Sequence, residues 1–254
     1  MKLNHDTQAP HSSDSSDSSD SGTTGVPTIA EDNAEARAVQ VALSGSAWQR
    51  LKLGARAALA LSRDSNDTPQ VFLLGMALNA SRLPELLARM AMDPEGAGLL
   101  ESRPGIDSSS VDFDALRALP DGTLGREYVR FLDDNGLDPD LFQAPPGLPP
   151  LPSYVVQRVR QSHDLWHVLT GFETDVPGEI GLQAFTYAQM RLPLSFALVV
   201  LGLVRWGWRY PRMVGLIRQG RRLGRRARYF PTIRWEDRWD QPLGQVRSEL
   251  GLAA

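Results

Sequence analysis

Cysteine is absent from the 254-residue chain, which excludes disulfides, thiolate metal ligands and a cysteine nucleophile. That absence leaves the redox compartment open. Histidine is scarce too: of four, His5 and His11 lie in a low-complexity stretch, leaving His163 and His167 for the body of the chain. Long apolar runs are missing. Leu192 to Val204, with only Ser195 polar, is far shorter than the roughly 20 residues a spanning helix needs, and Pro193 interrupts it. Its length favours buried core, the alternative being a greasy wall that meets membrane or holds a lipid tail. A net charge of -3 gives no general affinity for nucleic acid. Strand signals are also few, with no good alternating run and no hairpin turn between two such runs.

What is present reads as all-α, a single multi-helix domain behind a disordered acidic tail. Residues 1–42 form the tail, because HSSDSSDSSDSGTTG (His11 to Gly25) cannot bury enough apolar surface to offset its ordering entropy. It lacks the apolar core of a secretory signal and the arginine-rich, acid-poor character of a transit peptide. Residues 43–254 form the helical domain, with ample length for a core. Trp48 to Ser62, Val71 to Ala80 and Leu83 to Met92 read as helical pieces, and Met92 to Pro104 as a loop. Thr123 is placed to cap a helix with Leu124, Tyr128, Phe131 and Leu132 on one side.

The chemistry concentrates between Gln161 and Glu179, QSHDLWHVLTGFETDVPGE. Ser153, behind the prolines of LPPLP, is positioned to cap a helix that runs to a stop at Gly171. Val155, Val159, Trp166 and Leu169 make its apolar stripe, and His163 and His167 border it. At i and i+4 the two imidazoles share a face, with Asp164 beside them. Asp175-Val176-Pro177 opens a second helix that brings Glu179 back in its first turn. Two imidazoles and carboxylates near one point suit a divalent metal, zinc foremost. Such spacing also arises by chance, and the helix dipole alone favours an acid in a first turn.

These residues resemble the coenzyme Q (ubiquinone) biosynthesis protein 4 family, through its HDxxHx11E signature. The resemblance extends to Val156–Arg160, to Gly178-Glu179, to Phe185–Gln189, and to Ile233–Leu243 and Arg247–Leu250. It implies a metal held by His163, Asp164, His167 and Glu179. It also implies a place in ubiquinone synthesis, on a 4-hydroxybenzoate ring bearing a polyprenyl tail. The activity implied is loss of the ring carboxyl group, with hydroxylation at the same carbon also proposed for the family. Other ubiquinone-biosynthesis enzymes are the implied protein partners. The expected setting is the cytoplasmic face of a bacterial inner membrane, since mitochondrial members need an import segment.

Roles for individual residues follow. Arg160, three residues before His163, could orient the substrate carboxylate, whereas Arg158 points elsewhere by helical spacing and suits a structural pair. Asp164 diverges from His163 by about 100° on a helix, so it is either a ligand or a neighbour that carries protons. Gln183 and Thr186 share the face of Glu179. Arginines crowd 205–234, interleaved with Trp206, Trp208 and Tyr210, a pattern that fits an anionic membrane surface. Exposed aromatics there leave room for a homodimer. Two alternatives stand beside the lyase: a non-catalytic lipid-binding organiser of quinone-synthesis enzymes, and a metal hydrolase with aspartate in an HExxH-like motif.

Overall fold

The computed structural model describes residues 29–46, 48–50, 52–54, 56, 68–143 and 147–253. The chain is all-α. Twelve α-helices and a few 3₁₀ turns make up the described residues, with no strand among them. Helix α1 (Ile29–Ser44) takes in residues that composition assigned to the tail; the rest of that tail, 1–28, lies outside the described residues. Its Val39 and Ala42 are buried. Turns 48–50 and 52–54 are helical within the expected Trp48–Ser62 segment, most of whose remainder is not described.

Helices α2 (Thr68–Asn79) and α3 (Leu83–Met92) match the expected pieces. The expected loop after Met92 is instead helix α4 (Pro94–Ser102). Asp93 accepts hydrogen bonds from the Glu95 and Gly96 amides, and Pro94 occupies the first turn, so a cap and a preset φ outweigh the two glycines. After α5 (Phe113–Arg117), helix α6 (Leu124–Asn135) starts at Thr123. The Thr123 hydroxyl donates to Pro120 rather than capping. The amides of Leu124 and Gly125 are taken by the carbonyls of Gln241 and Trp239, so the distant C-terminal segment satisfies that helix start.

Helix α7 (Pro150–Gln161) begins three residues before Ser153, because prolines in a first turn need no amide partner. The single helix expected from Ser153 to Gly171 is two: α8 (His163–Thr170) follows a break at Ser162. The Ser162 hydroxyl donates to the Arg158 carbonyl at 2.7 Å, back-bonding that bends helices. Behind α8, Trp166, Phe185, Phe230 and Trp235 pack edge to face, with successive centroids 4.9–6.2 Å apart. Such pairs add about 0.5–1.5 kcal/mol each beyond burial.

Helices α9 (Val176–Met190), α10 (Pro193–Trp206) and α11 (Met213–Arg226) form a layer against this core. Gly220 and Gly224 of α11 let its backbone lie directly on α9; a Cβ at Gly224 would sit 2.6 Å from the Phe185 carbonyl oxygen. Helix α10 overturns the expectation of buried core. It buries only Ser195 and Gly202, and it exposes Phe196, Val200, Leu201 and Val204, the last at 76%. The chain closes through 3₁₀ turns at Phe230–Thr232 and Trp235–Arg238 and helix α12 (Leu243–Glu249). Arg158, 2% exposed, makes a two-pronged ion pair with Glu236 and donates to the Ile233 carbonyl, so its expected structural role holds.

Candidate metal centre

Two elements build the site. Helix α8 carries His163 and His167 on one face, and their rings meet edge-on at 5.0 Å between centroids. Gly171, with φ 74°, ends α8 in the left-handed region that glycine adopts without strain. The chain then turns back, and Asp175 caps α9 by accepting from the Gly178 amide. Glu179 in the first turn of α9 therefore faces the histidines, as the sequence predicted. Its carboxylate lies 3.1 Å from His167 Nε2 and 3.7 Å from His163 Nε2.

One ligand atom from each of His163, His167 and Glu179 falls within 4.8 Å of the others, close enough for one cation. Asp164 is not part of this trio. It is half-buried beside them, its direction from the helix axis set off from that of His163 by its place one residue on. His163, His167 and Glu179 are the three groups that converge, and three protein ligands leave a tetrahedral ion one open position.

The surroundings prepare these groups. His167 is buried, and its Nδ1–H donates to the Phe172 carbonyl at 2.9 Å. That bond leaves Nε2 turned toward Glu179, the arrangement metal-bound imidazoles adopt. The Phe131 ring stacks on His167, 5.5 Å away and 20° from parallel. Burial pushes the Glu179 carboxyl up, but hydrogen bonds from His163 and His167 outweigh it and hold the group at about 2. Burial pushes His163 down, but the hydrogen bond and charge of Glu179 leave it raised. Asp164 is raised by burial, against the pull of the two histidines. A carboxylate held ionised against two imidazoles is a donor set that fits a divalent ion.

Arg160 stands on the far side of the Ser162 break, its guanidinium 4.6 Å above the Phe142 ring. Gln183 is half-buried, and Thr186 is buried with its hydroxyl unpaired among the described residues. Sequence patterns did not assign Phe131 or Phe172 to the site. Phe131 lay on the apolar stripe of α6 and read as core, and a backbone carbonyl such as that of Phe172 leaves no mark in a sequence.

Comparison with known proteins settles the family. Residues 40–254 match the family described as Coenzyme Q (ubiquinone) biosynthesis protein Coq4. The chain belongs to the Coq4 family. A Xenopus tropicalis protein named ubiquinone biosynthesis protein COQ4 homolog, mitochondrial, is 36% identical over 213 residues, 82% of this chain and 75% of that protein. The Homo sapiens protein of the same name is 38% identical over 188 residues, covering 72% and 71%. A crystal structure of a ubiquinone biosynthesis protein from Nostoc punctiforme superposes with a TM-score of 0.65 at 29% identity, covering 80% of this chain and 98% of that one. This Coq4 chain accordingly has its role in ubiquinone biosynthesis. No helix of its described residues is long and apolar enough to cross a membrane.

Proposed function

We propose that this protein removes the ring carboxyl group of a polyprenyl-4-hydroxybenzoate-type intermediate at a membrane surface, using a divalent metal at His163, His167 and Glu179. The convergence of those three groups across two helices carries the reading. A cation bound there supplies Lewis-acid stabilisation of negative charge on a substrate carboxylate or phenolate. His163 and His167 offer Nε2, and Glu179 offers an ionised oxygen. Loss of carbon dioxide leaves an electron pair on the ring carbon, which needs a proton. The Asp164 carboxyl, raised by burial and beside both histidines, is the group assigned to deliver it. Arg160 is assigned to the substrate carboxylate, and Gln183 and Thr186, following Glu179 along α9, to the wall of the ring pocket.

The setting supports a lipid substrate. Helix α10 runs back along α9, and Gly202 packs on Ile180, the residue after Glu179. The exposed Leu201, Val204 and Trp208 therefore lie at the end of the layer that carries the site. Arg212, at the start of α11, pairs with Asp175, the cap of α9, so the arginine-rich helix reaches the same end. Apolar side chains flanked by exposed arginines suit an anionic bilayer.

The test supplies purified protein, Zn²⁺ and a prenylated hydroxybenzoate, and measures carbon dioxide and the decarboxylated phenol. Turnover is expected, and His163→Ala and Glu179→Ala are each expected to abolish it and to lower bound zinc. A metal-loaded protein that extracts the lipid yet releases no carbon dioxide would refute the lyase and leave the organiser.

A further inference from the structure

We propose that Arg247, on the last helix, positions His167: it is a positioning residue for the metal centre although it touches neither the histidines nor Glu179. The inference rests on the metal reading of His163, His167 and Glu179.

A helix of eight residues leaves several carbonyls without an intrahelical partner at its C-terminus. In α8 those of Val168 and Leu169 are the two residues after His167, and Arg247 takes both. Its Nη2 donates to the Val168 carbonyl at 2.7 Å and its Nε to the Leu169 carbonyl at 3.0 Å. A guanidinium at this end also opposes the negative pole of the helix. Two fixed carbonyls in the last turn set where the chain leaves α8 through Gly171 and where the Phe172 carbonyl arrives. That carbonyl holds His167 Nδ1–H and so decides which nitrogen faces Glu179.

The rest of the turn is clamped from other sides. The Phe172 side chain is buried against α9, where a Cβ at Gly181 would meet its ring at 2.8 Å. Arg247 is itself held between buried Val246 and Leu250, and its own carbonyl accepts from the Leu252 amide at 2.8 Å. The path from the chain's end to the imidazole is thus a series of short contacts: α12, Arg247, the end of α8, the Phe172 carbonyl, His167. Residues that orient a ligand from behind commonly change metal affinity by about 10- to 100-fold when removed.

The experiment compares full-length wild type, Arg247→Ala, Arg247→Lys and Arg158→Lys. Zn²⁺ affinity is measured by chelator competition on folded protein, and the His167 tautomer by imidazole nitrogen shifts in the metal-free state. Arg247→Ala is expected to weaken Zn²⁺ binding about 10- to 100-fold and to lose the fixed Nδ1–H tautomer. Arg247→Lys, which keeps the charge and one donor, is expected to fall between, and serves if the alanine variant does not fold. Arg158→Lys loosens another tie of the C-terminal segment, and is expected to lower the unfolding midpoint while leaving Zn²⁺ affinity unchanged. Equal Zn²⁺ affinity in wild type and both Arg247 variants overturns the inference, as does an equal loss in Arg158→Lys. If wild type itself binds no Zn²⁺, the metal reading fails, while the tautomer comparison still decides whether Arg247 orients His167.

Discussion

Of the three shifted groups at the metal-free centre, Glu179 and His163 pull in opposite directions. Glu179 is held at about 2, below its ordinary 4.5, so its stabilisation is complete above 4.5 and is lost as the pH falls toward 2. His163 is raised above 6.5, so its contribution is complete below 6.5 and is lost as the pH rises through its higher folded value. Between 4.5 and 6.5 the contributions of Glu179 and His163 are therefore both complete, while Asp164, raised by burial, loses its contribution as the pH rises above 3.8. Glu179→Gln is expected to remove the acid limb of the profile in a pH series of metal-free thermal melts. Zinc must displace the proton from His163, so its stabilising effect is expected to grow above that window. A different residue governs plain stability. Arg158→Met leaves the half-buried Glu236 carboxylate without its partner and is expected to cost up to about 3–5 kcal/mol, read from urea unfolding. The trio of His163, His167 and Glu179 itself stays intact in that variant. The sequence already separated Arg158 from Arg160 by their angular offset on a helix. It could not foresee Glu236, which lies 78 residues away.

Helices α9, α10 and α11 fix where the site meets its surroundings. The apolar run at Leu192–Val204 was legible as too short to span a membrane, but the exposure of its side chains was not. Hydropathy ranks a segment as apolar without saying whether anything packs against it, and in α10 only Ser195 and Gly202 are fully buried while Leu194, Ala197, Leu198 and Val199 are half-buried. Leu201→Asp with Val204→Asp is expected to abolish flotation with anionic liposomes while changing stability by about 0.5 kcal/mol or less. Loss of stability with flotation retained would show the face to be core after all. Across the layer, Gly220 lets α11 touch the α9 backbone, where a Cβ would collide with the Gly181 carbonyl oxygen. Gly220→Ala is expected to cost about 1–3 kcal/mol through overpacking, measured by urea unfolding. Because Glu179 rides on α9, zinc affinity is expected to fall in the same variant.

At the scale of the molecule, the C-terminal segment binds parts that are distant in sequence. Carbonyls of Trp239 and Gln241 close the start of α6, Glu236 meets Arg158 of α7, and Arg247 closes α8. The sequence by itself determined what local rules govern: the helical class, the stop at Gly171, the Asp175 cap, and the convergence of His163, His167 and Glu179. The last three are set within the short stretch from Gln161 to Glu179, where spacing and φ preferences decide the geometry. The tertiary structure alone decided which helix faces are covered, why the helix breaks at Ser162, and that Asp164 stands outside the trio. It also decided that a buried carbonyl and a distant arginine stand behind His167. Those outcomes depend on which elements come to lie against one another, and backbone groups that meet across a fold leave no pattern along the chain.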